Sequence, residues 1–308
     1  MLPKHKRLLD ILVMAALFAP SFLFIKVAVQ EISPITVIAL RVSLAALMLL
    51  LVLKIRNISI PTDFKLWKYC FTLGFLINGF PFVCYSYSLA LIPTSLSALI
   101  NGLTPIVTVF LANIFLQDER LNLRRGLGVI LGFSGFIVLF LPALLNTDGD
   151  YNLIGILLSF VGAIFYAFGA VYARKYVQKA PPLVAPTLQL MSSLIYLIPL
   201  AFIVETPIQE LLEASMAAWT SVLCVALLGT ALAFILYHRI VVQQGATALT
   251  MAMYLLPIFG TAIGVLFLNE TITLNFALAG LLILIGVGIV NGMINLPTKR
   301  AKIEQPDF

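Results

Sequence analysis

The chain has 308 residues, 61% of them hydrophobic and only 10% charged, with a mean hydropathy of +1.08. That leaves too few polar side chains to cover a soluble globule, so a polytopic membrane protein is expected. The 19 basic residues outnumber 13 acidic ones for a net charge of +6, but they gather at the ends of apolar runs, which points to a lipid bilayer and not to nucleic acid as their partner. The three cysteines, Cys70, Cys84 and Cys224, sit inside apolar runs; a disulfide framework or a zinc site would want them clustered in loops, and no metal or cofactor is expected.

Crossing the hydrocarbon takes ~20 mostly apolar residues in a helix. The first such run, 8–29, follows a basic start that resembles a signal peptide, but it exceeds the ~7 to 15 residues of a cleavable apolar region and reads as a membrane helix. It carries Lys26 near its end. The second run, 35–55, holds Arg41 nearly two turns inside. A charge in hydrocarbon is costly, so both are candidate substrate-binding residues. For Lys26 the alternative is snorkelling to the interface; for Arg41 it is pairing with Glu31 or binding open carbonyls.

The third run, 69–92, contains Asn78, Pro81, Phe82 and Tyr85, the first and last two sharing a face through spacings of four and three. Only Ile92-Pro93 separates it from the fourth, 94–116, so the two form a tight hairpin. The fourth run carries Thr94, Ser97, Asn101, Thr104 and Thr108 in a 3, 4, 3, 4 rhythm, a single helical stripe, with Pro105 beside it. Pro105 has no N–H for the Asn101 carbonyl, which is thereby freed. The fifth run, 126–145, brings Gly128, Gly132 and Gly135.

The sixth and seventh runs, 153–173 and 184–204, each add a polar group near mid-membrane, Tyr166 and Gln189. The eighth, 217–242, ends near His238 and Arg239, and only 243–246 divide it from the ninth, 247–268, with Thr247, Thr250, Tyr254, Pro257 and Thr261. The tenth, 274–296, carries Gly280, Gly286, Gly288 and Gly292. The GxxxG spacings allow close helix approach, internally or between subunits, and the oligomeric state is not legible here. A Ser or Thr in any of these stripes serves equally for packing or for bonding its own backbone. Eight longer helices would strain these lengths.

With the N-terminus inside, every Lys and Arg except Lys26 and Arg41 falls at a cytoplasmic end. Asp148, Asp150, Glu205, Glu210 and Glu213 fall in external loops. The ninth run also echoes the fourth: Pro105 and Glu119 answer to Pro257 and Glu270. Five spans per half is an odd number, so the second half enters from the opposite side. The expected fold is therefore an all-α membrane protein of ten transmembrane helices in two inverted five-helix repeats, 8–146 and 152–297. Glu119 then lies inside beside basic residues, and Glu270 outside with no basic neighbour. Inverted repeats enclose a midplane site in secondary transporters. No carboxylate sits at mid-helix, so proton coupling is expected to be indirect or absent, with facilitated diffusion or exchange instead.

Ser21 and Lys26, Ser33-Pro34 and Arg41, the TP…DERL run from Thr104 to Leu121, Gly128, the LP…NET run from Leu256 to Thr271 and Gly280 together resemble the EamA family of the drug/metabolite transporter superfamily. The resemblance covers almost the whole chain. It departs from the family pattern at Ala19-Pro20, where a tryptophan-glycine pair is common, and at Asp118 and Asn269, where glycine precedes the repeated glutamate. It implies a transporter and not an enzyme, moving small organic solutes such as amino acids, metabolites or drug-like compounds by alternating access. Export across the bacterial inner membrane, with both termini cytoplasmic, is the expectation; uptake by exchange is the alternative. On this reading the substrate-binding candidates are Lys26, Arg41, Asn78, Tyr85, Ser97, Asn101, Tyr166, Gln189, Thr250 and Tyr254, with Pro81, Pro105 and Pro257 as helix-breaking positions for gating.

Overall fold

The computed structural model describes residues 4–116, 121–145, 152–178, 180–181, 183–244 and 246–294, while the side chains of 4–8, 238–239 and 241–253 lie outside that description. The regular structure among the described residues is helical. Helices α1 (Lys4–Phe18) and α2 (Pro20–Ala28) make one apolar run, with Pro20 in the first turn of α2, where its missing N–H costs least. α3 (Pro34–Ile55) follows. The next run joins α4 (Phe64–Gly74), a π-helical turn (Phe75–Gly79) and α5 (Phe80–Leu91). Then come α6 (Thr94–Asn101), α7 (Thr104–Phe115), α8 (Leu123–Leu145) and α9 (Leu153–Tyr172), the last extended by a π turn at Ala173–Val177. After α10 (Val184–Val204) and the short α11 (Pro207–Glu213), α12 (Met216–Ala226) and α13 (Ala233–Gln244) are joined by a third π turn, Leu227–Leu232. α14 (Ala246–Leu268) and α15 (Leu274–Val290) complete the series.

Among the described residues, eight helical runs are long and apolar enough to cross a membrane, and α15, Leu274–Val290, is a shorter apolar helix. Large apolar side chains such as Leu47, Ile55, Ile130, Ile195, Ile203 and Leu266 are exposed. Such a surface suits lipid, with the backbone satisfied inside each helix. The sequence placed the bounds of α10 correctly but missed α11, too short to show as a span. It also ran the last helix on to 296. Instead Gly292, at φ +79°, ends it after Val290, with the Met293 N–H donating to the Gly288 carbonyl at 2.8 Å. A left-handed glycine closes a helix in this way because no Cβ opposes the turn.

The helices of Pro105 and Pro257 differ. Around Pro105 the helix is interrupted at Gly102-Leu103, and Pro105 opens the first turn of α7. Pro257 stays inside the continuous α14. Pro81 lies in the first turn of α5, directly after the π turn.

The glycine spacings serve internal packing between α8 and α15. A Cβ on Gly286 would stand 2.7 Å from both the Gly128 carbonyl oxygen and the Gly132 nitrogen, and one on Gly135 would stand 2.8 Å from the Ala279 carbonyl oxygen. Only hydrogen at these positions lets the two backbones touch. Along the same seam Phe136, Leu139, Ile283 and Val287 join Leu96, Ile100 and Ile106 in the largest buried cluster.

Candidate functional site

The acidic residues between the spans find helix N-termini, where unpaired N–H groups and the helix dipole favour negative charge. Glu205 accepts from the Ile35 and Thr36 N–H groups at 2.9 and 2.7 Å, from the Thr36 hydroxyl at 2.7 Å and from Tyr87 at 3.2 Å. Glu210 accepts the Ser33 N–H and hydroxyl at 2.8 and 2.7 Å. Glu31 accepts the Ser215 N–H and hydroxyl at 2.6 and 2.7 Å. Glu270 accepts the Thr94 and Ser95 N–H groups at 2.6 and 2.8 Å. The Ser215 hydroxyl and N–H hold the Glu31 carboxyl below its ordinary value. For Glu210 burial pushes upward, but the hydrogen bonds from Ser33 and Thr206 outweigh it and the net displacement is down. Glu31 is thus committed to Ser215, which removes the expected option of a pair with Arg41.

Arg41 is 5% exposed. Its Nε donates to Thr230 Oγ1 at 2.8 Å, and its guanidinium carbon lies 3.8 Å from the Phe82 ring centroid. Thr230 in turn donates to the Val225 carbonyl, five residues back, at 2.9 Å. The π turn of 227–232 breaks the regular i to i−4 ladder there, so the threonine hydroxyl serves both a backbone acceptor and the arginine. Nη1 and Nη2 have no hydrogen-bond partner among the described residues, yet they are not among the fully sealed orphan atoms and so border open space.

From Phe82 a continuous group extends across five helices. Tyr166 of α9 meets Phe82 edge-on at 6.2 Å and stacks on Tyr85 at 5.5 Å, and Phe22 of α2 meets Tyr85 edge-on at 5.9 Å. The Tyr85 hydroxyl donates to Asn101 Oδ1 at 2.8 Å, and the Thr104 hydroxyl donates to the same oxygen at 3.2 Å. Asn101 Oδ1 is doubly satisfied, while its Nδ2 and the Tyr166 hydroxyl lack partners among the described residues without being sealed. Tyr85 fits because Gly162 leaves room, a Cβ there meeting its ring at 2.8 Å. Counting about 1.5 Å per residue, the group lies ~9 to 21 Å along its helices from the ends on the side of these carboxylates.

The other expected site residues are placed differently. Lys26 does not snorkel: its Nζ donates to the Leu89 and Ile92 carbonyls at 2.6 and 3.1 Å, capping the C-terminus of α5. Glu270 caps the N-terminus of α6 across the same Ile92-Pro93 turn and interacts electrostatically with Lys26, so it has a basic neighbour after all. Ser97 is fully buried, its hydroxyl 2.8 Å from Ser159, which is 2.6 Å from Ser88. That serine trio packs α5, α6 and α9 together, so the structure places Ser97 in a buried hydrogen-bonded contact. The stripe on the fourth run is therefore divided, its upper part in packing and Asn101 and Thr104 in the interior group. Asn78 is 0% exposed in the π turn of 75–79, both its amide atoms sealed and without partners in the described chain.

Gln189 is buried in α10, its backbone carbonyl against Gly74. Tyr254 packs on the cluster of Ile100, Ile283 and Val287, its hydroxyl near Gly288. The side chains of Thr250 and His238, and all of Glu119, lie outside the described residues. Sequence reasoning missed Thr230 and Phe22, whose roles come from a π turn and a helix crossing that leave no periodic mark.

A family model described as the EamA-like transporter family matches residues 6–141 and 153–292. An uncharacterized transporter of Bacillus subtilis (strain 168), YoaV, is 24% identical over 92% of this chain and 95% of its own length. A chloroplastic WAT1-related protein of Arabidopsis thaliana is 24% identical over 86% of this chain and 65% of its own. A solved structure described only as the crystal structure of a protein superposes with a TM-score of 0.65 at 17% identity, covering 94% of this chain and 99% of that one, a likeness of fold.

Proposed function

The chain belongs to the EamA-like transporter family and is an integral membrane protein, and we propose that it carries small organic solutes through the cytoplasmic membrane by alternating access. On this reading ten spans form two inverted halves, 8–146 and 152–297, with both termini cytoplasmic and net export. The two family matches, divided at 142–152, support the duplication. The sorting of basic and acidic loops supports the orientation.

The observation that carries the reading is the set of carboxylate caps. Glu205, Glu210 and Glu270 reach from the second half to helix starts in the first, and Glu31 reaches from the first to the second. All four join the halves at the acidic end, above an interior aromatic and polar group. Contacts of this kind, one hydrogen-bonded carboxylate to one helix start, can part and re-form as units, which a rocking carrier requires and a static bundle does not. Saturable counterflow in proteoliposomes tests the reading. A labelled solute should accumulate transiently against an unlabelled internal pool, and linear, non-exchanging flux would contradict it.

A further inference from the structure

We propose that the interior site selects organic anions with an aromatic body, the carboxylate seated on Arg41; this deepens the transporter reading and rests on it. A buried guanidinium inside an apolar bundle needs a counter-charge, because burying one charge unpaired is costly. No carboxylate among the described residues supplies it. Glu31, Glu205, Glu210 and Glu270 are each held at a helix start by N–H donors.

The protein contacts Arg41 through Nε and the guanidinium face, to Thr230 and Phe82, and leaves the two Nη nitrogens bordering open space. That pair of parallel donors is the edge that grips a carboxylate with two hydrogen bonds. Beside it the rings of Phe82, Tyr166 and Tyr85 form a continuous aromatic wall. Asn101, fixed by Tyr85 and Thr104, keeps its amide donors free for an acceptor at the far end. Donors at both poles and no carboxylate among the described residues of the group leave nothing of opposite charge for a ligand ammonium. The arrangement therefore favours an aromatic monoanion over an amino-acid zwitterion or an amine.

The test compares phenylacetate, its isosteric amide phenylacetamide, phenylalanine and phenethylamine, four ligands sharing one phenyl ring, by calorimetric binding to the purified full chain in nanodiscs and by counterflow in proteoliposomes at pH 7. Phenylacetate should bind about tenfold or more tightly than the neutral amide, and it should exchange. Arg41→Gln should remove that preference and Arg41→Lys should keep part of it. The wild-type comparison decides the matter even if Arg41→Gln does not fold. Equal affinity for acid and amide, an Arg41→Gln protein that keeps the preference, or no binding of the acid overturns the assignment. Saturable exchange of the amide, amine or amino acid alone would overturn the anion while leaving the carrier standing. If phenylacetate binds yet flux of every member is linear, the anion site stands and the carrier falls.

Discussion

Two hydroxyl-bearing residues on neighbouring helices separate the interior group from its surroundings. Ser97 and Tyr85 both looked like cavity residues in the sequence, since each lies on a polar or aromatic stripe of helical period. Burial sorts them. The Ser97 hydroxyl is consumed by Ser159 in a sealed trio, so Ser97→Ala should cost about 1 kcal/mol of stability and leave counterflow unchanged. The Tyr85 hydroxyl fixes Asn101 at the edge of open space, so Tyr85→Phe should keep the fold and raise the half-saturating solute concentration roughly fivefold. Thermal unfolding and counterflow on the same preparations check both. Arg41 was legible as a site candidate because a charge inside an apolar run is conspicuous. Its partner Thr230 was not, because only a π turn brings that hydroxyl round.

The helices themselves were readable wherever hydropathy alone decides them, as for α10, and misread where a backbone conformation decides, as at Gly292. The prolines carry the same lesson. Pro105 and Pro257 looked equivalent, but Pro105 follows Gly102 and Leu103, where the helix breaks, whereas α14 absorbs Pro257 without interruption. The glycine seam between α8 and α15 gives a direct check on packing. Gly286→Ala forces a Cβ against two backbone atoms of α8 and should destabilise by about 1 to 3 kcal/mol. Gly126→Ala, in the same α8 but with nothing within 4 Å of the added carbon, should be neutral or stabilise by up to about 1 kcal/mol. Thermal midpoints in detergent measure the pair, and equal losses at both glycines would contradict the seam.

Taken together, the molecule is closed at its acidic end by carboxylates, each joining a residue before 142 to one after 152. Two of them, Glu31 and Glu210, titrate below the ordinary carboxylate value of 4.5. A depressed folded value means that the stabilisation is complete above the unfolded value and is lost as pH falls through the folded one. The thermal midpoint should therefore decline as pH drops below about 4.5, and Glu31→Gln with Glu210→Gln should flatten that part of the profile. The sequence showed Glu205 and Glu210 as external loop charges, in a chain oriented by its lysines and arginines. It did not show that the acids reach across the fold, because a carboxylate meeting a helix start 169 to 184 residues away leaves no local pattern. Spin labels at Gln30 and Gln209, exposed positions on either side of this closure, with Cys70, Cys84 and Cys224 replaced by alanine, measure its opening. With a solute that undergoes counterflow, the account predicts a second, longer label separation that grows with solute concentration. A single unchanged separation during sustained exchange would contradict it.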